Sequence, residues 1–230
     1  MKTAILRAIE LIAGRDAELL NVLGTTARMS LSSSIIALLI GVPIGILYGA
    51  GRFRGRTIFS VVNRTLMAMP PVVCGLIFYI LFSGVGPFRA FHLMYSVRLM
   101  VLAQIALITP IVAGNMESFV GSIAKPVLES ARGLGLRRSR TFFLLLNECV
   151  YQIFFSFLLA FSRAIAEVGA VSMVGGAIAW KTNVMTTSIM EYTNKGDLPR
   201  AMGLGVILMA IALLVNILTH AVEKRVTRAN

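Results

Sequence analysis

The chain has 230 residues, 57% of them hydrophobic and 14% charged, with a mean hydropathy of +0.83 and a formal net charge of +12. These values exclude an ordinary soluble domain and fit an all-α protein that crosses a membrane several times. In a soluble chain such basicity would point to nucleic acid. Here little polar surface remains to display it, so the charge belongs in loops beside anionic lipid, and no nucleic-acid partner is expected.

Residues 1–24 mix Lys2, Arg7, Glu10, Arg15, Asp16 and Glu18 with Ile5, Ile9 and Ile12 at helical spacing. An N-terminal amphipathic segment at the membrane interface is expected, not a cleaved leader. A first span is expected at 27–50, with Gly41, Pro43 and Gly45 inside it; lipid-embedded helices tolerate such residues. Thr25, Thr26, Ser30, Ser32, Ser33 and Ser34 lead into this span and read as helix-packing contacts. After a short basic turn at Gly51–Arg56, a second span is expected at 57–83, where Pro70-Pro71 should kink or break the helix.

Third, fourth and fifth spans are expected at 96–116, 148–168 and 201–221. Ala170–Ala179 is apolar but too short to cross, so it is re-entrant, interfacial or buried against other helices. Trp180 beside it reads as an interfacial anchor. The loops at 51–56, 117–147 and 222–230 hold 11 Lys and Arg residues, against 7 in the segments on the opposite side. The excess places the N-terminus outside and the C-terminus, with its basic tail 223–230, in the cytoplasm. One membrane domain, 25–222, is expected.

Between the third and fourth spans lies a basic island, Glu129–Asn147. Five Lys and Arg residues between Lys125 and Arg140 would each cost about 2.5–3.5 kcal/mol at a bilayer centre, so this stretch stays in water. Its helix–glycine–helix pattern suggests a knuckle offered to another protein. No phosphate-binding loop, zinc motif, Cys/His cluster or nucleophile elbow appears in the sequence. Neither catalysis nor a metal is expected of this chain, and Cys74, Cys149, His92 and His220 read as structural.

The island resembles the EAA motif of ABC-importer permeases, with Glu129-Ser130-Ala131 in the leading positions, Gly135 as the motif glycine and Leu144-Leu145-Leu146 in the later apolar ones. Ser130 replaces the middle alanine, and Asn147 stands where a proline is common. The resemblance implies a type I importer fold of five spans with a cytoplasmic coupling loop at 117–147. It implies that Glu129, Ser130, Ala131, Gly133, Gly135 and Arg137 meet a separate ATPase subunit. Further on, Arg163-Ala164-Ile165-Ala166-Glu167-Val168-Gly169-Ala170 followed by Gly175-Gly176 looks like a segment of oxyanion importers. Thr186–Ile189 and Asn194–Leu198 look like the tungstate branch of that group.

Arg163 and Glu167 read as an i, i+4 pair on one helix face near the outer end of the fourth span, and two readings stay open: a gate or lining of the anion path, with Gly169 beside it, or an ion pair that fixes helix rotation. The resemblance implies a homodimer, two ATPase subunits that carry ATP and Mg, an extracytoplasmic oxyanion-binding protein, a lipid surround and an inner-membrane location. No cofactor is expected on this chain. Tungstate is the expected cargo, with molybdate, sulfate or another small solute as alternatives. A secondary transporter or a membrane-embedded enzyme is a weaker reading, for want of inverted repeats or paired intramembrane acids.

Overall fold

The computed structural model describes residues 14, 16–51 and 53–229. Most of the expected amphipathic segment lies outside the described residues, as do Arg52 of the basic turn and the last residue of the tail. Among the described residues there are helices and turns and no strand. The helices are α1 (Ala17–Ala50), α2 (Arg56–Met67), α3 (Pro71–Phe82), α4 (Val97–Gly133), α5 (Arg138–Glu148), α6 (Val150–Ile165), α7 (Gly169–Gly175), α8 (Met185–Asn194) and α9 (Leu198–Ala229). Three of them (α1, α4 and α9) are long and apolar enough to cross a membrane alone, and two bent pairs, α2+α3 and α5+α6, bring the total to as many as five.

The core is the α1–α4 pair. Gly41, Gly45 and Gly49 lie one turn apart on α1 and face Val112, Met116 and Val120 of α4. A Cβ on these glycines would stand 2.8, 2.4 and 2.6 Å from the facing Cβ atoms, so the backbones touch where a larger residue could not fit. The partners ascend together in number, so the two helices run parallel. The chain between them must therefore return across the layer, and α2+α3 makes that return. As Pro70-Pro71 predicts, the return is broken, with a 98° bend between α2 and α3.

Helix α1 begins ten residues before the expected span, because Asp16 caps it: its carboxylate accepts from the backbone N–H groups of Glu18 (2.9 Å) and Leu19 (3.3 Å). Helix α4 differs more. Residues 117–133, expected as loop, continue the third span as one 37-residue helix, about 55 Å long against a hydrocarbon core of about 30 Å. Only residues 134–137 of the expected loop are irregular. Charged residues such as Lys125 disfavour lipid for this stretch, but charge does not prevent the helix from continuing through it.

Ala170, Val171, Val174 and Gly175 are buried, with α7 packed against α3 and α4. The first half of this short apolar segment is thus buried against neighbouring helices, while Gly176, Ile178 and Ala179 are exposed. Gly75 of α3 makes the close approach possible, since a Cβ there would lie 2.8 Å from the Ala170 Cα. Helix α6 packs on α1, α4 and α9, and α8 packs on α9. Outward faces stay apolar, for example Leu213, Leu214, Ile217 and Leu218 of α9, each more than half exposed. That is a surface suited to lipid.

Candidate functional site

Two places carry the residues singled out from sequence, one at each end of the bundle. The first is the turn after α4. Gly135 has φ +64°, a left-handed conformation that only glycine adopts without cost. Its N–H donates to the Arg132 carbonyl (3.0 Å), and the Leu136 N–H donates to the Ala131 carbonyl (2.9 Å). This pair of bonds is a Schellman closure, which satisfies the last carbonyls of α4 and turns the chain into α5. Ala131 is buried, at 2% exposure, and anchors the turn. Glu129, Ser130, Gly133, Gly135 and Arg137 are exposed around it, and so are Leu134 and Phe143.

Glu129 makes no ion pair with a described residue, so the turn is held by backbone bonds and by Ala131, not by the acid. Helix α5 does not stop at Asn147. It runs to Glu148 and pivots by 63° into α6 at buried Cys149. Behind the turn lies a groove of about 620 Å³ lined by Leu47 and Ala50 of α1, Leu128 and Arg132 of α4, and Phe142 and Leu145 of α5.

The second place joins the end of α6 to α7. Arg163 Nη1 donates to Glu167 Oε2 at 2.7 Å. Helix α6 ends at Ile165, so Glu167 lies in the turn before α7. The pair therefore closes over a helix end instead of lying along one helix face, as the four-residue spacing suggested. The Arg163 side chain is 38% exposed and that of Glu167 only 4%. Glu167 Oε1 also accepts from the Ala170 N–H (3.3 Å), and its carbonyl accepts from Thr186 Oγ1 (2.9 Å). The carboxylate is thus committed to the protein, while part of the guanidinium still faces outward. Gly169 lets α7 approach α3, since a Cβ there would lie 2.9 Å from Val72 Cγ2. Among the described residues no cluster of His, Cys, Asp or Glu could hold a metal.

Three polar groupings were not picked out from sequence. Gln104 of α4 is wholly buried between Ser33 and Ala164. Glu117, also on α4 and 8% exposed, accepts from Ser60 Oγ of α2 at 2.6 Å. Arg200 at the start of α9 reaches Asp16 (3.0 Å) and Glu18 (2.9 Å) and stacks on the Tyr192 ring, whose hydroxyl donates to Glu18 Oε1 at 2.5 Å. Burial, and then the bond to Glu18, push the Tyr192 phenol well above its ordinary range. A lone Gln or Glu inside an apolar run is the signal that could have marked the first two.

The family model for the binding-protein-dependent transport system inner membrane component matches residues 41–228. The chain belongs to that family. It is a multi-pass permease subunit with the type I ABC importer fold and not an enzyme; in this family the ATPase is a separate subunit, and a binding protein completes the system. A tungstate uptake system permease protein of Peptoclostridium acidaminophilum is 32% identical over 94% of this chain and 95% of its own length. A probable anion ABC transporter permease protein of Haloferax volcanii is 33% identical over 84% of each chain. A molybdate/tungstate transport system permease protein of Pyrococcus furiosus is 27% identical over 80% of this chain and 70% of its own.

Proposed function

We propose that two copies of this permease form the translocation pathway of an importer for a tetrahedral oxyanion, with tungstate the first candidate and molybdate the next. The names of the tungstate and molybdate/tungstate relatives support that order. Sulfate permeases among the relatives, at 26–27% identity, support sulfate as the alternative cargo.

The observation that carries the mechanism is the exposed turn at Glu129–Arg137, closed by Gly135 at the end of a helix long enough to leave the membrane. Glu129, Ser130, Gly133, Gly135 and Arg137 form the contact with an ATPase subunit, which binds ATP and Mg, and buried Ala131 holds the turn that presents them. Docking moves α4, and the far ends of the helices open toward a binding protein outside. Arg163 offers positive charge to the passing anion, while Glu167 holds it in place and Gly169 sets the local packing. The excess of Lys and Arg in the loops on the Glu129 side supports a cytoplasmic turn and an external N-terminus.

The test is ATP-driven uptake in liposomes holding the permease, its ATPase and its binding protein. Tungstate uptake that needs all three, and that molybdate displaces better than sulfate, is the expected result. Uptake by the permease alone would overturn the importer mechanism. Displacement only by sulfate would overturn the cargo.

A further inference from the structure

We infer that Gln104 is a positioning residue that ties the backbone beside Arg163 to the helix that carries Glu129. The inference rests on the reading of Arg163 as part of the anion path.

Both ends of the Gln104 amide are used. Its Oε1 accepts from Ser33 Oγ of α1 at 2.7 Å, and its Nε2 donates to the Ala164 carbonyl of α6 at 2.9 Å. The residue is 0% exposed, as are Ser33 and Ala164. The Ala164 carbonyl also accepts from the N–H groups of Ala166 and Glu167 (3.3 Å to the latter). One oxygen therefore gathers the end of α6, the start of the Glu167 turn and a side chain of α4. Arg163 precedes Ala164 in the chain, and Glu167 is its partner, so both ends of the ion pair hang from this point.

A primary amide is a costly way to fill an apolar interior, because each of its atoms must find a partner. A leucine would occupy similar space without that demand. What the amide adds is direction: it fixes α1, α4 and the end of α6 in one register. Helix α4 is continuous from Gln104 to Glu129, a separation of about 38 Å at 1.5 Å per residue. A displacement of the Glu129 turn is thereby delivered at the carbonyl next to Arg163.

The test uses the complete transporter in liposomes, with tungstate and molybdate as probe anions. Gln104→Leu removes two buried hydrogen bonds and is expected to lower uptake by about tenfold or more, while the ATPase subunit still co-purifies. Adding Gln104→Leu to Arg163→Ala is expected to lower uptake no further. Wild-type uptake by Gln104→Leu, or defects that multiply in the double variant, would overturn the inference. A second measurement separates it from the pathway reading. Arg163→Cys, in a chain with Cys74→Ala and Cys149→Ala, is labelled with a membrane-impermeant thiol reagent. A changed labelling rate on adding Gln104→Leu supports positioning even if Arg163→Ala transports normally, a result that would remove Arg163 from the path. An unchanged rate removes the positioning role.

Discussion

Gly45 and Met116 meet so closely that a Cβ on the glycine would stand 2.4 Å from the methionine Cβ and 2.7 Å from the Ala113 carbonyl oxygen. Neither neighbour can swing aside, because a Cβ and a backbone oxygen both move only with their helices. Gly45→Ala is therefore expected to force α1 from α4 and to destabilise the permease by about 1–3 kcal/mol, the usual cost of overpacking. Thermal unfolding in detergent measures this. Gly24→Ala, with nothing within 4 Å, serves as the control and should leave the transition unchanged or raise it.

At Gly135 the obstacle is conformation and not space, since nothing lies within 4 Å of its would-be Cβ. Gly135→Ala should cost about 1 kcal/mol through the left-handed backbone alone. Gly135→Pro removes the N–H that reaches Arg132 and cannot adopt φ +64°. We expect that variant to insert normally and to lose ATP-driven uptake, with Glu129→Lys behaving alike. Uptake at the wild-type level in both would remove this turn from the ATPase contact.

The two readings of Arg163 make different predictions for a double variant. Arg163→Ala leaves the buried Glu167 carboxylate without its cation, a loss that costs about 3–5 kcal/mol when both partners are buried and less here, where the arginine is partly exposed. Arg163→Ala with Glu167→Gln removes the stranded charge and should recover much of the stability. If Arg163 lines the path, uptake stays low in the double variant. Recovery of uptake together with stability would leave the pair a structural fastening. Proteoliposome uptake and detergent melting curves measure the two quantities side by side.

Tyr192 gives a pH prediction with a definite sign. Its phenol is raised above the ordinary value of 10.0 by burial and by the bond to Glu18. A raised value means that the folded state keeps its proton longer than the unfolded chain does. The stabilisation is thus complete below about pH 10 and falls away as the pH climbs toward the folded-state value. Tyr192→Phe should lose the tie to Glu18 at neutral pH and remove this part of the alkaline decline. Melting temperatures between pH 7 and 11 for the two chains decide it.

Much of the architecture was legible because lipid imposes simple rules. Apolar run length marked α1, α4 and α9, and the paired prolines marked the corner between α2 and α3. The turn at Gly135 was legible because a glycine at a helix end has few other uses. What sequence hid was the extent of order outside lipid. Residues 117–133 read as loop because hydropathy reports the solvent and not the backbone, and a water-exposed extension of a helix looks like any polar stretch. The Arg163–Glu167 spacing suggested one continuous helix, yet the helix stops between them, since contact at four residues' distance survives across a helix end. Gln104 escaped notice because its partners, Ser33 and Ala164, lie 71 and 60 positions away.

The corner at Pro70-Pro71 bears on how the protein is made. Helices α2 and α3 have twelve residues each, about 18 Å of helix, so neither alone bridges a hydrocarbon core of about 30 Å. As the chain leaves the ribosome, this segment has no firm hold on the bilayer. Its anchorage arrives later, when Asn63 can donate to the Pro110 carbonyl of α4 and Gly75 can receive Ala170 of α7. Biogenesis of the second crossing thus depends on residues synthesised 47 and 95 positions downstream, and quality control would meet an immature permease first at this corner.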